Sequence, residues 1–254
     1  MKIKTTFVTS LFIIALCSWA FAAMPTDLVL YYSFDSGTVS DEEVTDQTQY
    51  GNNGILVGDP VTDAGYRGDA LDFTTDAVEI VSSESLAETM GSITMEAWIY
   101  PRTIGTAEII SKWDNAMNGI IHFELRDGGN MRFCMRNEAD GKVADFTTAS
   151  GGIEAETWTH VAEVFDGENA TVYFNGEEVG NAAGVGEMRQ NDDCKFWIGS
   201  MYATDRWFNG LIDEVCIWKK ALTPEEIQQS IDGTLISAAV SKEGKLAVTW
   251  GELK

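Results

Sequence analysis

Residues 158–179 read WTHVAEVFDGENATVYFNGEEV. Two runs rich in Val, Phe, Tyr and Thr, at 159–165 and 171–174, flank a short segment with Asp, Gly and Asn, which is the pattern of two strands joined by a turn. Asn175-Gly176 follows the second run, and this dipeptide tolerates the positive φ angles of a two-residue hairpin. The stretch therefore predicts three consecutive antiparallel strands.

The same pattern covers most of the chain outside this stretch. Short alternating or apolar segments are separated by Gly, Asn and Asp, and Asp127-Gly128-Gly129-Asn130 is a second hairpin signal. Because consecutive hairpins produce antiparallel sheets, we predict an all-β fold in which two such sheets form a sandwich. The remaining predicted strands cover residues 28–34, 54–57, 70–73, 78–81, 93–100, 108–112, 120–125, 131–136, 143–147, 196–198 and 211–218.

One short helix is predicted near the C-terminus. Thr223 is a suitable N-cap, Pro224 suits the first helical position, and Glu226 completes a capping box. Gly233 is a plausible end for this helix, which then has roughly two turns.

The first residues are typical of a secretory signal peptide. Lys2 and Lys4 precede an apolar run at residues 7–19 that is short for a bilayer span, and a small-x-small pattern ends at Ala22. We therefore predict a signal peptide at residues 1–22. The mature protein is expected to be secreted, extracellular or at the cell surface, with no transmembrane segment.

The rest of the chain is predicted to hold one domain. No internal repeat or long linker divides it, and β-sandwiches of this size are routinely single domains. We assign residues 23–233 to the sandwich. Residues 234–254 form a C-terminal tail, expected to be a small hairpin or one added strand.

The charge of the chain excludes some classes of partner. Forty Asp and Glu residues against 17 Lys and Arg give a net charge of −23. A field of that sign repels phosphate backbones and anionic headgroups, so we expect no nucleic-acid binding and no peripheral membrane binding. The same charge suits cations, calcium in particular, because carboxylates are hard-oxygen ligands.

The cysteines and histidines do not indicate a site for a soft metal. Cys134, Cys194 and Cys216 remain after signal cleavage, and their spacing leaves all three possible pairings open. His122 and His160 lie in alternating segments and are most simply strand residues. We therefore predict no zinc cage.

A series of motifs, in order, carries a resemblance to a known family. The series resembles the laminin-G-like, pentraxin-related branch of the concanavalin-A-like lectin/glucanase superfamily, as found in secreted bacterial proteins, over about residues 27–232. The resemblance implies a jelly-roll sandwich with the helix after the last strand. The motifs are LVLYYSFD, GNNGIL, YRGDALDF, SITMEAWIYP, IISKWD, WTHVAEVFDG, TVYFNGEEV, FWIGS and FNGLIDEVCIWKKALTPEEI.

The superfamily includes hydrolases, but the residues argue against that activity here. Retaining glycosidases of the laminarinase type carry two glutamates and an aspartate at alternating positions of one strand. In the corresponding strand, residues 93–100, Glu96 stands alone between Thr94 and Trp98. Asp213 and Glu214 are adjacent, so regular alternation would place them on opposite faces. We therefore predict that the protein is not an enzyme.

The resemblance also suggests a structural calcium ion that ties the first strand to the last. Asp35 follows the first predicted strand and Asp213 lies in the last one, and either Asn53 or the Gly68-Asp69 turn could supply a further oxygen. The alternative is that these acids simply accept hydrogen bonds from turn amides. The sequence leaves both interpretations open.

Two loops combine aromatic rings with polar side chains, as carbohydrate sites do, because sugars stack on rings and bond to planar polar groups. A loop tryptophan can also fold back over the edge of the core, and this alternative stays open. The candidate ligand-binding residues are Trp113, Asp114 and Asn115 in one loop and Tyr202, Arg206, Trp207 and Asn209 in the other.

These observations predict a secreted, non-catalytic module that binds carbohydrate or an extracellular glycoprotein. A structural or adhesive surface protein without a glycan site is the alternative. A glycoside hydrolase with acids on different strands is a third possibility, and it requires two carboxyl groups about 5–10 Å apart across a cleft.

Overall fold

The computed structural model describes residues 24–87, 91–113, 120–137, 141–149, 151–186, 188–189 and 194–236. The predicted signal peptide lies outside this part of the chain, and so does the tail from residue 237 onward. The described elements are β1 (Leu28–Tyr32), β2 (Glu43–Val44), β3 (Gly54–Val57), β4 (Val61–Ala64), β5 (Asp69–Phe73), β6 (Ala77–Ile80), α1 (Glu84–Ala87), β7 (Ile93–Pro101), β8 (Ala107–Lys112), β9 (Ile121–Arg126), β10 (Asn130–Arg136), β11 (Lys142–Thr147), β12 (Thr159–Phe165), β13 (Asn169–Phe174), β14 (Glu177–Ala183), β15 (Phe196–Ile198), β16 (Gly210–Trp218) and α2 (Pro224–Ile231).

The strands form two antiparallel sheets of a jelly-roll sandwich, which confirms the predicted fold class. The back sheet has the strand order β14-β13-β12-β7-β16-β5-β4, with β1 also paired to β16. The front sheet has the order β11-β10-β9-β8-β15-β6-β3-β2.

The alternation along β12 shows how the sequence builds these layers. Val161 and Phe165 belong to the main apolar core between the sheets. Ala162 and Val164 point to the other side of the back sheet, where they form a second apolar cluster with Ile227 of α2. Because successive strand residues point to opposite faces, one strand supplies both clusters.

The predicted turn and helix signals are confirmed. Asn175 and Gly176 have φ angles of 49° and 83°, and they join β13 to β14 as a hairpin. Thr223 caps α2 by accepting a hydrogen bond from the Glu226 amide, and the Glu226 side chain accepts one from the Thr223 amide.

Three described elements were not predicted: β2, β4 and α1. Each is only two to four residues long, so none offers a periodic pattern. All four residues of β4 are exposed, so it lacks the apolar alternation by which a strand is recognised.

A bulge in β16 corrects the expectation for Asp213 and Glu214. The pairing of β16 with β7 shifts between Asp213 and Cys216, and Glu214 has a φ of 52°. As a result the carboxylates of both residues contact Arg67, which donates from its backbone amide to Asp213 and from its guanidinium to Glu214. The two acids therefore lie on the same, outer side of the back sheet.

The sandwich interior holds one unusual residue, Glu163 on β12. It pairs with Met95 of β7 and Val172 of β13, is fully buried, and neither carboxyl oxygen has a hydrogen-bond partner among the described residues. Burial raises the pKa of Glu163 well above its ordinary value, and the charges of Glu108 and Glu124 raise it further. Burial therefore favours the protonated, neutral form of this carboxyl group in the folded protein.

We predict that replacing Glu163 by Met stabilises the protein, and more so as the pH rises. Above the ordinary pKa of 4.5 the unfolded chain ionises while folded Glu163 stays protonated. The free energy of unfolding then falls by up to about 1.4 kcal/mol per pH unit until the raised pKa is reached. A methionine side chain at this position has a similar volume and cannot ionise.

Urea unfolding at pH 5, 7 and 8.5 measures this difference. Glu168→Gln, a change at an exposed position, is the control. The pH dependence of its free energy of unfolding should be the same as that of the parent protein. A Glu163→Met variant whose stability changes with pH in parallel with the parent protein would contradict an uncharged, buried Glu163.

Candidate functional site

The outer face of the front sheet carries a buried group of polar residues. Ile121, Phe123 and Leu125 of β9 face the core, so His122 and Glu124 face outward. Glu108 of β8 lies opposite Glu124 in the neighbouring strand. Side-chain oxygens or nitrogens of Glu108, His122 and Glu124 lie within 4.8 Å of one another, and all three residues are buried.

Arg206 connects these acids from the loop between β15 and β16. Its Nη1 lies 3.1 Å from Oε1 of Glu108 and also donates to Oε2 of Glu124. Arg126 donates to Glu124 as well, and Arg132 lies 3.8 Å from it. The result is an ion-pair network in which three guanidinium groups surround one carboxylate.

The network balances the cost of burying Glu108. Burial raises the pKa of Glu108, and the charge of Glu124 acts in the same direction. The hydrogen bond from His122, whose Nδ1 lies 2.5 Å from Oε1, lowers that pKa, as does the charge of Arg206. Arg206 is the partner that both buried carboxylates share, and it offsets part of the cost of burying each of them.

The arrangement is poorly suited to a metal ion or to hydrolysis. Two carboxylates and an imidazole are suitable ligands for a transition metal, but the guanidinium of Arg206 already bridges the carboxylates. The side chains of Glu108 and Glu124 have no exposed surface, so they do not flank an open cleft. The chemistry available here is hydrogen bonding at the partly exposed Arg206.

The first predicted loop contributes Trp113 to this face. Its ring lies 4.4 Å from the ring of His122, and the guanidinium of Arg136 lies 5.2 Å above it. Trp113 is 8% exposed, so most of the ring covers the polar group. Asp114 and Asn115 lie outside the described residues.

The second predicted loop comes to the same place. Tyr202 packs edge-to-face on Trp197 at 5.3 Å, and the indole of Trp197 donates to the carbonyl of Trp113 at 3.2 Å. Tyr202, Ala203 and Arg206 all have positive φ angles. Residues other than glycine rarely adopt positive φ angles, and this kind of backbone strain is found most often at active sites and ligand-binding sites.

The other predicted residues of this loop lie toward its end. Trp207 and Asn209 are half-buried, and the carbonyl of Asn209 accepts a hydrogen bond from the Arg102 amide at 2.8 Å. The structure thus brings Trp113, Tyr202 and Arg206 together around Glu108, His122 and Glu124. Sequence reasoning missed these last three, although the polar residues at 122, 124 and 126 indicate a polar outer face.

The predicted calcium ligands divide between two places. Asp35 accepts from the Asp69 amide at 3.1 Å, and Asp213 accepts from the Arg67 amide at 2.9 Å, so both contact the turn between β4 and β5. Burial raises the pKa of Asp213 to about 7. Asn53 instead accepts from the Asp46 amide and donates to Glu43.

The fit of a cation at this turn depends on free carboxylate lone pairs. A Cβ atom added to Gly68 would lie 1.8 Å from Oδ1 of Asp35, and one added to Gly65 would lie 2.7 Å from Oδ2 of Asp213. The turn thus brings the backbone directly against both acids. Asp35 and Asp213 could each offer a carboxylate oxygen to an ion here, while Asn53 is engaged in its own network.

Glu96 on the back sheet makes hydrogen bonds that hold elements of the fold together. It is fully buried and accepts hydrogen bonds from the Trp218 indole at 2.9 Å and the Ser230 hydroxyl at 2.7 Å. It therefore ties the last strand and α2 to β7. Cys134 and Cys216 are buried free thiols.

A protein-family model matches more than half of the chain. The Laminin_G_3 model of the concanavalin A-like lectin/glucanases superfamily matches residues 72–228, which is more than half of the chain. No curated protein matches the sequence. Among the described residues, no helix has the length and apolar character needed to cross a bilayer.

Several solved structures share the fold at low sequence identity. The binding domain of Paraclostridial Mosquitocidal Protein 1 is 16% identical, with a TM-score of 0.65, and the match covers 82% of this chain and 52% of that one. The binding domain of Botulinum Neurotoxin DC, solved in complex with SialylT, is 13% identical, with a TM-score of 0.64, over 82% of this chain and 52% of that one. This chain therefore spans about half the length of these toxin chains.

A third similar structure is matched over nearly its whole length. Domain 4 of AbnA, an extracellular arabinanase from Geobacillus stearothermophilus, was solved in complex with arabinotriose. It is 20% identical, with a TM-score of 0.63, and the match covers 80% of this chain and 97% of that one.

We predict that Arg206→Ala destabilises the protein by about 3 kcal/mol or more, because it leaves two buried carboxylates without their shared partner. Thermal and urea unfolding at pH 7 measure the loss. The effect should shrink at low pH, where Glu108, whose pKa is raised by burial, becomes protonated.

Arg102→Ala is the matched control. Arg102 forms a bidentate ion pair with Asp72, but its side chain is 37% exposed. Its removal should therefore lower the free energy of unfolding by less than about 1 kcal/mol. Similar losses for the two variants would contradict the role given to Arg206.

Proposed function

This chain belongs to the concanavalin A-like lectin/glucanase superfamily, and on that basis we propose that it is a secreted, non-catalytic module that binds carbohydrate. The ligand is a free glycan or the glycan of an extracellular glycoprotein. The site that we propose is the outer face of the front sheet, where Trp113 and the 202–209 loop lie.

The observation that carries this proposal is the meeting of the two loops. Trp113 and Tyr202 are far apart in the chain, yet both contact Trp197. Arg206, 26% exposed, supplies N–H donors beside these rings. A sugar needs an apolar ring to stack on and planar polar groups for its hydroxyls, and this face has both.

The buried acids support binding rather than catalysis. A retaining or inverting glycosidase needs two carboxyl groups that reach the glycosidic bond. Glu108 and Glu124 are covered by Arg206, and Glu96 is buried between Trp218 and Ser230. None of these carboxylates has the exposure that this reaction requires.

The similar structures are consistent with this proposal. Two of them were solved in complex with a saccharide, SialylT for a neurotoxin binding domain and arabinotriose for the arabinanase domain. Since those chains are 13% and 20% identical to this one, the likeness supports the class of ligand and does not indicate the particular sugar.

We predict that the protein binds at least one glycan on an array, and that Tyr202→Ala and Trp207→Ala each weaken this binding about tenfold. The expected loss corresponds to one stacked ring, for which roughly 1.4 kcal/mol is a typical contribution. Both residues are partly exposed, so these substitutions should leave the fold intact. Titration of the best array glycan by calorimetry measures the affinities.

The control is Tyr66→Ala, because Tyr66 is 42% exposed but follows β4 of the back sheet. It should retain the affinity of the parent protein. If the folded protein binds no glycan on the array, the adhesive or structural alternative replaces this proposal; if the control and the two loop variants weaken binding equally, the site is elsewhere.

We also propose that calcium binds at the turn between β4 and β5, held by Asp35 and Asp213. The support is that both carboxylates converge on this turn. A bound ion stabilises the folded state by mass action, so calcium at about 100 times its dissociation constant should add about 2.7 kcal/mol.

Melting with an excess of calcium and with chelator tests this. We expect a higher melting temperature with calcium, and Asp35→Asn should remove most of the difference. Glu177→Gln, an exposed change on β14, is the control. Identical melting curves with calcium and with chelator would leave the two acids as acceptors of turn amides only.

A further inference from the structure

A pocket of about 490 Å³ lies on the outer side of the back sheet, beside the C-terminal end of α2. We call it the α2 pocket. Its floor includes Trp98 and His160, and its rim includes Asp35, Glu214 and Asp232. Its volume lies in the range of small-molecule sites. It is on the opposite sheet from the proposed carbohydrate face.

His160, one of the residues that line this pocket, has a side-chain nitrogen without a hydrogen-bond partner among the described residues. The residue is 2% exposed, and its Nδ1 has no hydrogen-bond partner among the described residues. Its Nε2 lies 3.4 Å from Oε2 of Glu96, so a ring proton placed on Nε2 faces this carboxylate. Nδ1 is then an acceptor. A buried acceptor without a partner is costly, and a ligand donor would satisfy it.

Arg67 is the arginine in the described lining of the pocket. Its guanidinium already makes hydrogen bonds within the protein. Its guanidinium donates to Glu214 at 3.1 Å and to the carbonyls of Ser230 and Ile231 at the end of α2. The hydroxyl of Tyr31 also donates to Glu214, at 2.9 Å. The protein's own donors are thus directed at the protein, and they leave acceptors for a ligand.

The charge of the pocket is negative, and it therefore favours the same kind of ligand group as the acceptors do. Asp35, Glu214 and Asp232 supply three carboxylates, against one guanidinium from Arg67 in the described lining. The C-terminal end of α2 adds the negative end of a helix dipole. A positively charged donor therefore fits this site better than an anion or a neutral acceptor.

We propose that the α2 pocket binds a small organic molecule with a primary ammonium group. The ammonium donates to the pocket carboxylates and to Nδ1 of His160. A nitrogen acceptor favours an N–H or O–H donor over calcium, which prefers oxygen ligands. Two sources share this chemistry, an amino sugar and a linear polyamine.

The test measures binding of three probes to the full-length chain by calorimetry. Glucosamine has an ammonium and hydroxyls, putrescine has ammonium groups alone, and glucose has hydroxyls alone. Chelator is present throughout, so that calcium cannot occupy Asp35. We expect glucosamine, putrescine or both to bind, and glucose not to bind.

Two variants locate the binding. Asp35→Asn and Asp232→Asn each remove one charge from the rim, and each should weaken binding of the ammonium probe about fivefold. Both positions are partly or fully exposed, so the fold should persist. Glu177→Gln, on the same sheet and away from the pocket, should retain full affinity.

The pattern of probe binding identifies the ligand class. Binding of glucosamine alone identifies the amino-sugar source, and binding of putrescine alone identifies the polyamine source. Glucose binding as tightly as glucosamine would overturn the role of the ammonium. Binding of no probe, or unchanged affinity in both rim variants, would overturn the pocket assignment. None of these results depends on glycan binding at the front sheet, which Tyr202→Ala tests separately.

Discussion

The apolar interior between the two sheets divides the residues of each strand into two sets. Core residues such as Phe123 and Val161 fill the space between the sheets, and every second residue must then face outward. Polar side chains at those positions gather on the two outer faces. The front network and the α2 pocket both follow from this constraint, as does the cost of Glu163, which lies on the inner side.

The two outer faces differ in hydrogen-bonding character. The front face concentrates arginines, and their guanidinium groups neutralise buried acids and offer N–H donors. Among the described residues, Arg126, Arg132 and Arg206 contact Glu124 of this face, and Arg136 contacts the Trp113 ring. In the described lining of the α2 pocket, Arg67 is turned toward α2, and the remaining polar atoms are mostly acceptors. In a chain with a net charge of −23, the placement of so few cations determines where each kind of ligand fits.

The features that could be predicted from the sequence are the local ones. The hairpin at Asn175-Gly176 and the cap at Thr223 depend on neighbouring residues, and the strand pattern depends on alternation. The contact of Glu108 with Glu124 depends on which strands become neighbours and in which register, and the shared orientation of Asp213 and Glu214 depends on a bulge. The candidate residues in the two loops could be predicted from their residue types. The buried acids beneath them, Glu108 and Glu124, come together only through the pairing of β8 with β9.

Strand β4 has a consequence for how the protein behaves in concentrated solution. It ends the back sheet, and its outer edge offers backbone groups that could pair with a second molecule. Pro60 precedes it and Asp63 lies within it, in a strand of only four residues. The proline ring and the carboxylate on so short an edge strand discourage edge-to-edge pairing with a second molecule at this end of the back sheet.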